Sequence, residues 1–268
     1  MTPTRPSSSQ QVWSAADLAG DPHKAADKDQ RIRRMFGAIA HRYDLNNRLH
    51  SFGRDQAWRR RAVRLCRVQP TDRVLDAACG TGDLAEAFAA AGAQEVCGVD
   101  FTAEMLEIAR CKAARRWTRV DQRPRYELAD VLALPFEDAT FDIVSIGFGL
   151  RNVTDPRQAL REFRRVLRPG GRVVILEFSD PANPVLRVLN RLYCEHIMPI
   201  TATLLAADRS GAYRYLPRSV STFADRNALA AMMEEAGFRS IRRSPMTFGV
   251  CVAYLGSVPG GLSAGRVR

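Results

Sequence analysis

The sequence predicts an α/β fold: a seven-stranded, mostly parallel sheet with one antiparallel edge strand, helices on both faces and added N-terminal helices. Three stretches carry that reading. Residues Arg73 to Asp100, RVLDAACGTGDLAEAFAAAGAQEVCGVD, run as strand, glycine turn, helix-period segment and second strand ending on an acid. Phe141 to Leu150, FDIVSIGFGL, is an almost uninterrupted apolar run, as a strand buried on both faces requires. Near the C-terminus two strand patterns follow too closely for a crossover helix, so one of them must run against the rest.

Taken in order, residues 1–28 are rich in Ser, Pro, Ala and Asp and read as a disordered extension. From Asp29 the pattern turns helical, with Ile32, Met35, Phe36 and Ile39 at i, i+3, i+4 and i+7. A polar cluster of Tyr43, Asp44, Asn46 and Asn47 follows. Asp55 suits the cap of a helix with Trp58, Ala62, Val63 and Cys66 on one side and Arg59, Arg60, Arg61, Arg64 and Arg67 on the other. That helix suits either an anionic membrane surface or packing on the sheet with solvated arginines.

After Asp100, Thr102 is placed to cap a helix carrying Met105, Leu106, Ile108 and Ala109 inward. A third strand, Arg125 to Ala129, ends at Asp130. Pro156 to Leu167 is an amphipathic helix stopped by Arg168-Pro169-Gly170-Gly171. Arg172 to Phe178 is a further buried strand. Residues 181–208 form an insert whose Val185, Leu186, Val188, Leu189, Leu192 and Tyr193 make a wide apolar face, suited to roofing a greasy substrate or to ordinary core. Gly211 to Ser219 reads as a loop with two tyrosines, and Asp225 caps a helix to Ala236. Strands at Arg239 to Arg243 and Met246 to Leu255 close a domain spanning 29–257, with a flexible tail over 258–268.

The glycine turn is the first candidate site. Gly80 and Gly82 let the backbone approach a ligand at positive φ without a Cβ clash. Asp76 precedes the turn, and Asp100 ends the next strand, where an acid accepts both hydroxyls of a ribose. The run Gly80-Thr81-Gly82-Asp83-Leu84-Ala85 also reads G-x-G-x-x-A, so the turn alone admits S-adenosylmethionine, a nicotinamide cofactor or a structural role. Asp130, followed by Val131 and a Leu-Pro-Phe turn, suits adenine recognition or a helix cap. Arg151 and Asn152 directly follow the central strand, at the edge where ligands lie; an ion pair of Arg151 with Asp155 is the structural alternative.

The chain has 268 residues and a net charge of +11, almost all of it from arginine, since Lys24, Lys28 and Lys112 are the only lysines. Such a balance suits an anionic partner or a solvated basic surface. Nucleic-acid binding would call for aromatic residues interleaved with basic ones on an exposed strand face, and no such pattern occurs. Cysteines 66, 79, 97, 111, 194 and 251 form no C-x-x-C pair, so a zinc site is not expected and the thiols read as structural or inert. No apolar run approaches the roughly 20 residues of a membrane span, and no secretory signal pattern opens the chain, so a cytoplasmic protein is expected.

Four motifs then converge on one family. YDLNNRLHSFGRDQAWR, LDAACGTGDL, FGLRNVTD and RVLRPGGRVVILEFS together span most of residues 29–256, and the Tyr-Leu-Pro, Met232-Met233 and Ala236-Gly237-Phe238 segments also fit. The chain resembles the ubiquinone/menaquinone biosynthesis C-methyltransferases, which are class I, Rossmann-like enzymes using S-adenosylmethionine. Ala78 stands where most methyltransferases carry a first glycine, though this family commonly accepts alanine, and Gly147 stands where some members have a serine.

The resemblance implies that Thr81, Asp100, Asp130 and Val131 contact the methyl donor and that Asp76, Gly80 and Gly82 shape its site. It implies ring C-methylation of demethylmenaquinol to menaquinol, with a ubiquinone-precursor benzoquinol as the alternative substrate. Arg151 is then expected to stabilise the quinol phenolate or orient a water, Tyr43 and Asn152 to orient the ring, and Phe148 to face the sulfonium. Because a polyprenyl quinol lives in the bilayer, transient peripheral membrane contact through the basic N-terminal helices is expected, at the inner face of the membrane. A homo-oligomer is compatible with the sequence.

Overall fold

The structure, a computed structural model, describes residues 12–198, 200–201 and 210–260. Its centre is a seven-stranded sheet of order β3-β2-β1-β4-β5-β7-β6. The strands are β1 (Arg73–Ala77), β2 (Glu95–Asp100), β3 (Arg125–Leu128), β4 (Phe141–Gly147), β5 (Leu167–Phe178), β6 (Arg239–Met246) and β7 (Cys251–Ser257). The pairs β3/β2, β2/β1, β1/β4 and β4/β5 are parallel, whereas β7 is antiparallel to both β5 and β6. The reversed strand therefore lies one place in from the edge. Outermost β6 carries Arg239, Arg242, Arg243 and Pro245, which protect an edge from further pairing.

Strand order reverses between β1 and β4, so the chain leaves these two neighbours in opposite directions and opens a crevice beyond their C-terminal ends. Val74, Leu75, Ile143, Val144, Val173 and Ile175 are all fully buried, because helices cover both faces.

The helices are α1 (Ala15–Ala19), α2 (Lys28–His50), α3 (Arg54–Cys66), α4 (Asp83–Ala90), α5 (Ala103–Arg116), α6 (Pro156–Val166), α7 (Pro184–Leu192), α8 (Ala212–Thr222) and α9 (Arg226–Glu235). Asp155 caps α6 by accepting from the Gln158 N–H at 2.9 Å, and Asp225 caps α9 likewise. Asp55 does not cap α3. That place belongs to Gly53 at φ 71°, and Asp55 sits inside the first turn. Trp58, Ala62, Val63 and Cys66 turn inward as expected, but Arg59 is buried with them while Arg60, Arg61, Arg64 and Arg67 are exposed. α3 therefore packs on the sheet and offers solvent only its arginines.

Two further expectations are corrected. The segment 12–28 is not a disordered extension: Trp13 is fully buried and stacked on Tyr215 at 4.8 Å, and α1 is held by a capping box between Ser14 and Asp17. Composition hid this, because one tryptophan and one Ser–x–x–Asp pair carry the packing of an otherwise polar stretch. The segment from Gly211 to Ser219 is not a loop; it belongs to α8, with Pro217 inside the helix. The helix that includes Ile32 runs through the Tyr43 cluster to His50, a length of 23 residues.

Arg168-Pro169-Gly170-Gly171 lies within β5, where the register slips from Phe141↔Leu167 to Ile143↔Arg172. The insert begins as α7 and a π-turn, Tyr193–Ile197, while its residues 199 and 202–208 lie outside the described residues, as do 1–11, 209 and 261–268. Val258 is buried and donates its N–H to the Gly171 carbonyl, so the first residue assigned to the flexible tail is part of the fold. Cys111 is exposed, whereas Cys66, Cys97 and Cys251 are buried.

Replacing Trp13 by Ala should cost about 3–5 kcal/mol, as for other fully buried tryptophans. Denaturant unfolding measures this; a loss below about 0.5 kcal/mol, the range of surface substitutions, would show that the segment contributes no packing.

Candidate functional site

Two adjoining cavities lie at the C-terminal ends of the parallel strands. The first is a crevice at the switch point. Ala78, Gly80, Asp100, Asp130 and Val131 line one side, and α2 covers the other with Ile32, Arg33, Phe36 and Tyr43. The turn after β1 is built by backbone conformation. Gly80 (φ 54°) has open space where a Cβ would stand, so a ligand can press on its backbone. Gly82 (φ 82°) is needed for another reason, since a Cβ there would run into the Tyr126 hydroxyl. Ala78 adopts φ 49° without being glycine. An alanine in this region stores roughly 1–2 kcal/mol of strain at the crevice wall.

The acids differ in setting. Asp100 accepts the Gly80 N–H at 2.8 Å and the Thr102 N–H at 2.9 Å, which fixes its carboxylate against the turn. Burial nonetheless raises its pKa against the pull of those hydrogen bonds. Asp76 is buried beneath the turn. Its Oδ1 accepts from Ser145 Oγ at 2.7 Å, and its Oδ2 has no hydrogen-bond partner among the described residues. Burial pushes its pKa up to about 7. Asp130 is exposed at the rim, its Oδ1 accepting the Leu132 N–H at 2.9 Å.

The second cavity, about 330 Å³, is lined by Tyr43, His50, Arg151, Phe178, Tyr213 and Tyr215 among others. It shares Phe36, Tyr43 and Phe148 with the crevice, so the two spaces meet at those rings. Arg151 is buried. Its Nη1 donates to Glu177 Oε1 at 2.7 Å and to the Phe148 carbonyl at 2.5 Å, and its Nε donates to Ser219 Oγ at 3.4 Å. The expected partner Asp155 is instead the cap of α6. From the other side Lys28 Nζ donates to the carbonyls of Arg151 and Val153, and His23 Nε2 meets the Ser219 carbonyl at 2.9 Å. The N-terminal segment thus braces the Arg151 loop.

The expected residues divide accordingly. Gly80, Asp100, Asp130, Val131, Tyr43 and Asn152 come together around the crevice. Tyr43 also joins Arg151 at the second cavity. Asp76 lies under the turn, and Thr81 and Gly82 within it; none of the three is on the crevice wall. Thr81 is buried, and its hydroxyl donates to Asp44 at 2.6 Å. Phe148, held at φ 60°, gives one face to the Arg59 guanidinium, 5.4 Å from its ring centre, and packs on Phe178 at 4.5 Å.

Several members of the site escaped sequence reasoning. Lys112 bridges Asp44 and Asp83, both at 2.6 Å, and Arg48 pairs with Asp55 and Asp83. Burial works against ionisation of Asp83, yet Lys112, Arg59 and Arg48 pull its carboxyl well below the usual range. The signal available was a helical stripe: Tyr43, Asn46, Asn47 and His50 share one face of α2. His50 Nδ1 lies 3.3 Å from the Tyr193 hydroxyl, and burial lowers its pKa. Among the described residues no cluster of His, Cys, Asp and Glu is arranged to hold a metal ion, and no helix is long and apolar enough to cross a membrane.

The chain is similar to known proteins throughout this region. A demethylmenaquinone methyltransferase of Thermus thermophilus is 49% identical over 227 residues, covering 84% of this chain and 100% of the relative. A demethylmenaquinone methyltransferase of Deinococcus radiodurans is 44% identical, covering 86% and 93% of the two chains. A ubiquinone/menaquinone biosynthesis C-methyltransferase of a Geobacter species is 42% identical, covering 87% and 98%. Among solved structures, a Haloferax volcanii chain in complex with the Trm112 methyltransferase activator aligns with a TM-score of 0.61 at 17% identity, over 84% of this chain and 97% of that one. A Haemonchus contortus phosphoethanolamine N-methyltransferase solved with S-adenosyl-L-methionine aligns with a TM-score of 0.52 at 17% identity, over 70% and 49%. These last two show the shared Rossmann-like fold. The model of the ubiE/COQ5 methyltransferase family matches residues 24–257, and the chain belongs to that family.

Proposed function

We propose that this methyltransferase transfers the methyl group of S-adenosylmethionine to a ring carbon of demethylmenaquinol, giving menaquinol. The observation that carries the reading is the meeting of two cavities at Tyr43 and Phe148, one floored by the glycine turn and one walled by Arg151. The naphthoquinol is favoured because the Thermus and Deinococcus relatives are named for it. A benzoquinol precursor of ubiquinone is the second reading, because the Geobacter relative is named for both quinones.

The crevice fits the donor by its own chemistry. It presents an open backbone at Gly80, a clamped carboxylate at Asp100 for the ribose hydroxyls, and Asp130 with Val131 for the adenine. The unpartnered Asp76 Oδ2 adds negative potential beneath it, which suits a cation. When bound, S-adenosylmethionine supplies an electrophilic methyl group on a sulfonium.

The remaining work is positioning and proton handling. Holding two reactants in line contributes up to roughly 7–11 kcal/mol. Tyr43 stands where the cavities meet; burial raises its pKa, so it acts as a hydroxyl that donates to or accepts from the ring oxygen. Asn152 is held by Tyr215, whose hydroxyl lies 3.1 Å from Asn152 Oδ1, and it faces the crevice. The ring must lose a hydroxyl proton before its carbon attacks. A guanidinium is no base, so a water oriented by Arg151 takes that proton to solvent, and the Arg151 charge stabilises the phenolate. Transient contact with the membrane follows from the substrate's tail.

The direct test is incubation with labelled methyl donor and each demethylated quinol. Label in the naphthoquinol is expected; label in neither quinol refutes the reading. Asp100→Ala should weaken donor binding at least about tenfold by calorimetry, and unchanged affinity removes the ribose role.

Arg151→Ala should lower kcat by about 100-fold or more while leaving donor affinity near the parent's. Glu177→Gln, which leaves the Arg151 charge buried without its partner, should cost about 3–5 kcal/mol of stability. Equal turnover in Arg151→Ala, or a Glu177→Gln variant as stable as the parent, contradicts these roles.

Asp76 gives a pH signature. Its pKa in the fold, about 7, lies above its unfolded value, so its contribution to stability is fully present below the unfolded pKa and is lost as pH rises through about 7. A cationic donor favours the ionised carboxylate. Donor affinity should therefore rise as pH increases through about 7, by up to about tenfold per unit below it, with proton release. Asp76→Asn should flatten the profile; an identical profile in that variant excludes Asp76 as its source.

A further inference from the structure

Helix α7 is amphipathic in the wrong sense for a soluble protein. Val185, Val188, Leu189 and Leu192 fall at i, i+3, i+4 and i+7 and make one stripe, yet each is 51 to 65% exposed. The opposite side, with Arg187, Asn190 and Arg191, lines the 330 Å³ cavity. The apolar face thus looks out of the molecule, while Arg187 and Arg191 border the cavity and remain exposed to solvent. Phe52 extends the same surface: it is 80% exposed at φ 52°, with its ring 6.1 Å from that of Tyr193, the residue following α7. A bulky residue held in left-handed backbone and turned to solvent is costly on both counts unless something covers it.

The occupant follows from charge, size and position. Arg191 is paired with Glu195 at 2.9 Å, which leaves exposed Arg187 on α7 and exposed Arg54, two residues from Phe52, as the cations of this surface. Cationic side chains beside an apolar stripe match a helix lying in the headgroup layer of an anionic bilayer. A second copy of the chain fits less well. Four side chains of one short helix plus Phe52 fall well below the roughly 20–30 residues a side of a stable interface. The basic N-terminal helix α3 cannot serve in place of α7, because its apolar side is already in the core. Finally, the cavity lies directly behind α7, so docking there would spare a prenyl tail any path through water.

We propose that the outward face of α7, with Phe52, docks this protein on an anionic lipid surface and sets the quinol cavity against the membrane. The proposal rests on the quinol reading above, and the test separates the two. The full chain is sedimented with vesicles of phosphatidylglycerol and phosphatidylcholine, and with phosphatidylcholine alone, at low salt. Methylation of a short-tailed, water-soluble demethylnaphthoquinol is assayed in parallel. The parent should be retained by the anionic vesicles. V188E/L189E and V188S/L189S should each lose retention by about tenfold or more, with unchanged circular dichroism and unchanged turnover of the soluble quinol. Three results overturn the proposal: no retention of the parent, equal retention of both variants, or a dimer in sedimentation velocity that V188E/L189E converts to monomer. Failure of the parent to methylate the soluble quinol would count against the quinol reading alone, whatever the vesicles retain.

Discussion

The buried pair of Arg151 and Glu177 is the constraint around which the site is arranged. It joins the loop after β4 to the end of β5, and through Ser219 it reaches α8. A pair desolvated this far yields little net stability, because stripping water from two ions costs about as much as their attraction returns. Its effect is specificity of position. A guanidinium with a carboxylate, a carbonyl and a hydroxyl around it has one orientation, and that orientation forms a wall of the larger cavity. Lys28 and His23 then hold the same loop from outside, so the N-terminal segment is part of the site's support.

A second network does for the crevice what Arg151 does for the cavity. Lys112 on α5 holds Asp44 of α2 and Asp83 of α4, and Asp44 in turn accepts from Thr81 in the glycine turn. α2 is thereby tied to the turn it covers. Its inward stripe places Tyr43 where both cavities meet and His50 beside Tyr193. One helix therefore borders both spaces, with Tyr43 at their junction.

The central α/β unit was legible in the sequence because its signals are local. β1 stops at a small-residue turn, β4 is apolar throughout because helices cover both faces, and Asp225 precedes its helix at a cap position. Gly80, Asp100, Asp130 and Arg151 stood out as candidates because each lies at or just beyond the C-terminal end of a strand, where topology places ligands. What escaped was long-range. Glu177 lies 26 residues from Arg151, Lys112 lies 68 from Asp44, and nothing in their local pattern reports the pairing. The segment 12–28 looked disordered because its packing rests on Trp13 and a few hydrogen bonds. Pro217 hid a helix, since proline ordinarily ends one. The apolar face of α7 was visible, but its outward direction was not, because periodicity fixes which residues share a face and not which way the face points.

The central claim is that a sulfonium nucleoside and a quinol ring occupy two spaces that meet at Tyr43 and Phe148. A crystal structure with S-adenosylhomocysteine and a demethylated quinol analogue tests it most directly. The account predicts the ribose on Asp100, the sulfur facing the shared aromatic wall and the ring beside Arg151 and Tyr43. A nucleoside bound elsewhere, or a ring separated from the sulfur by the Phe148 wall, would contradict it.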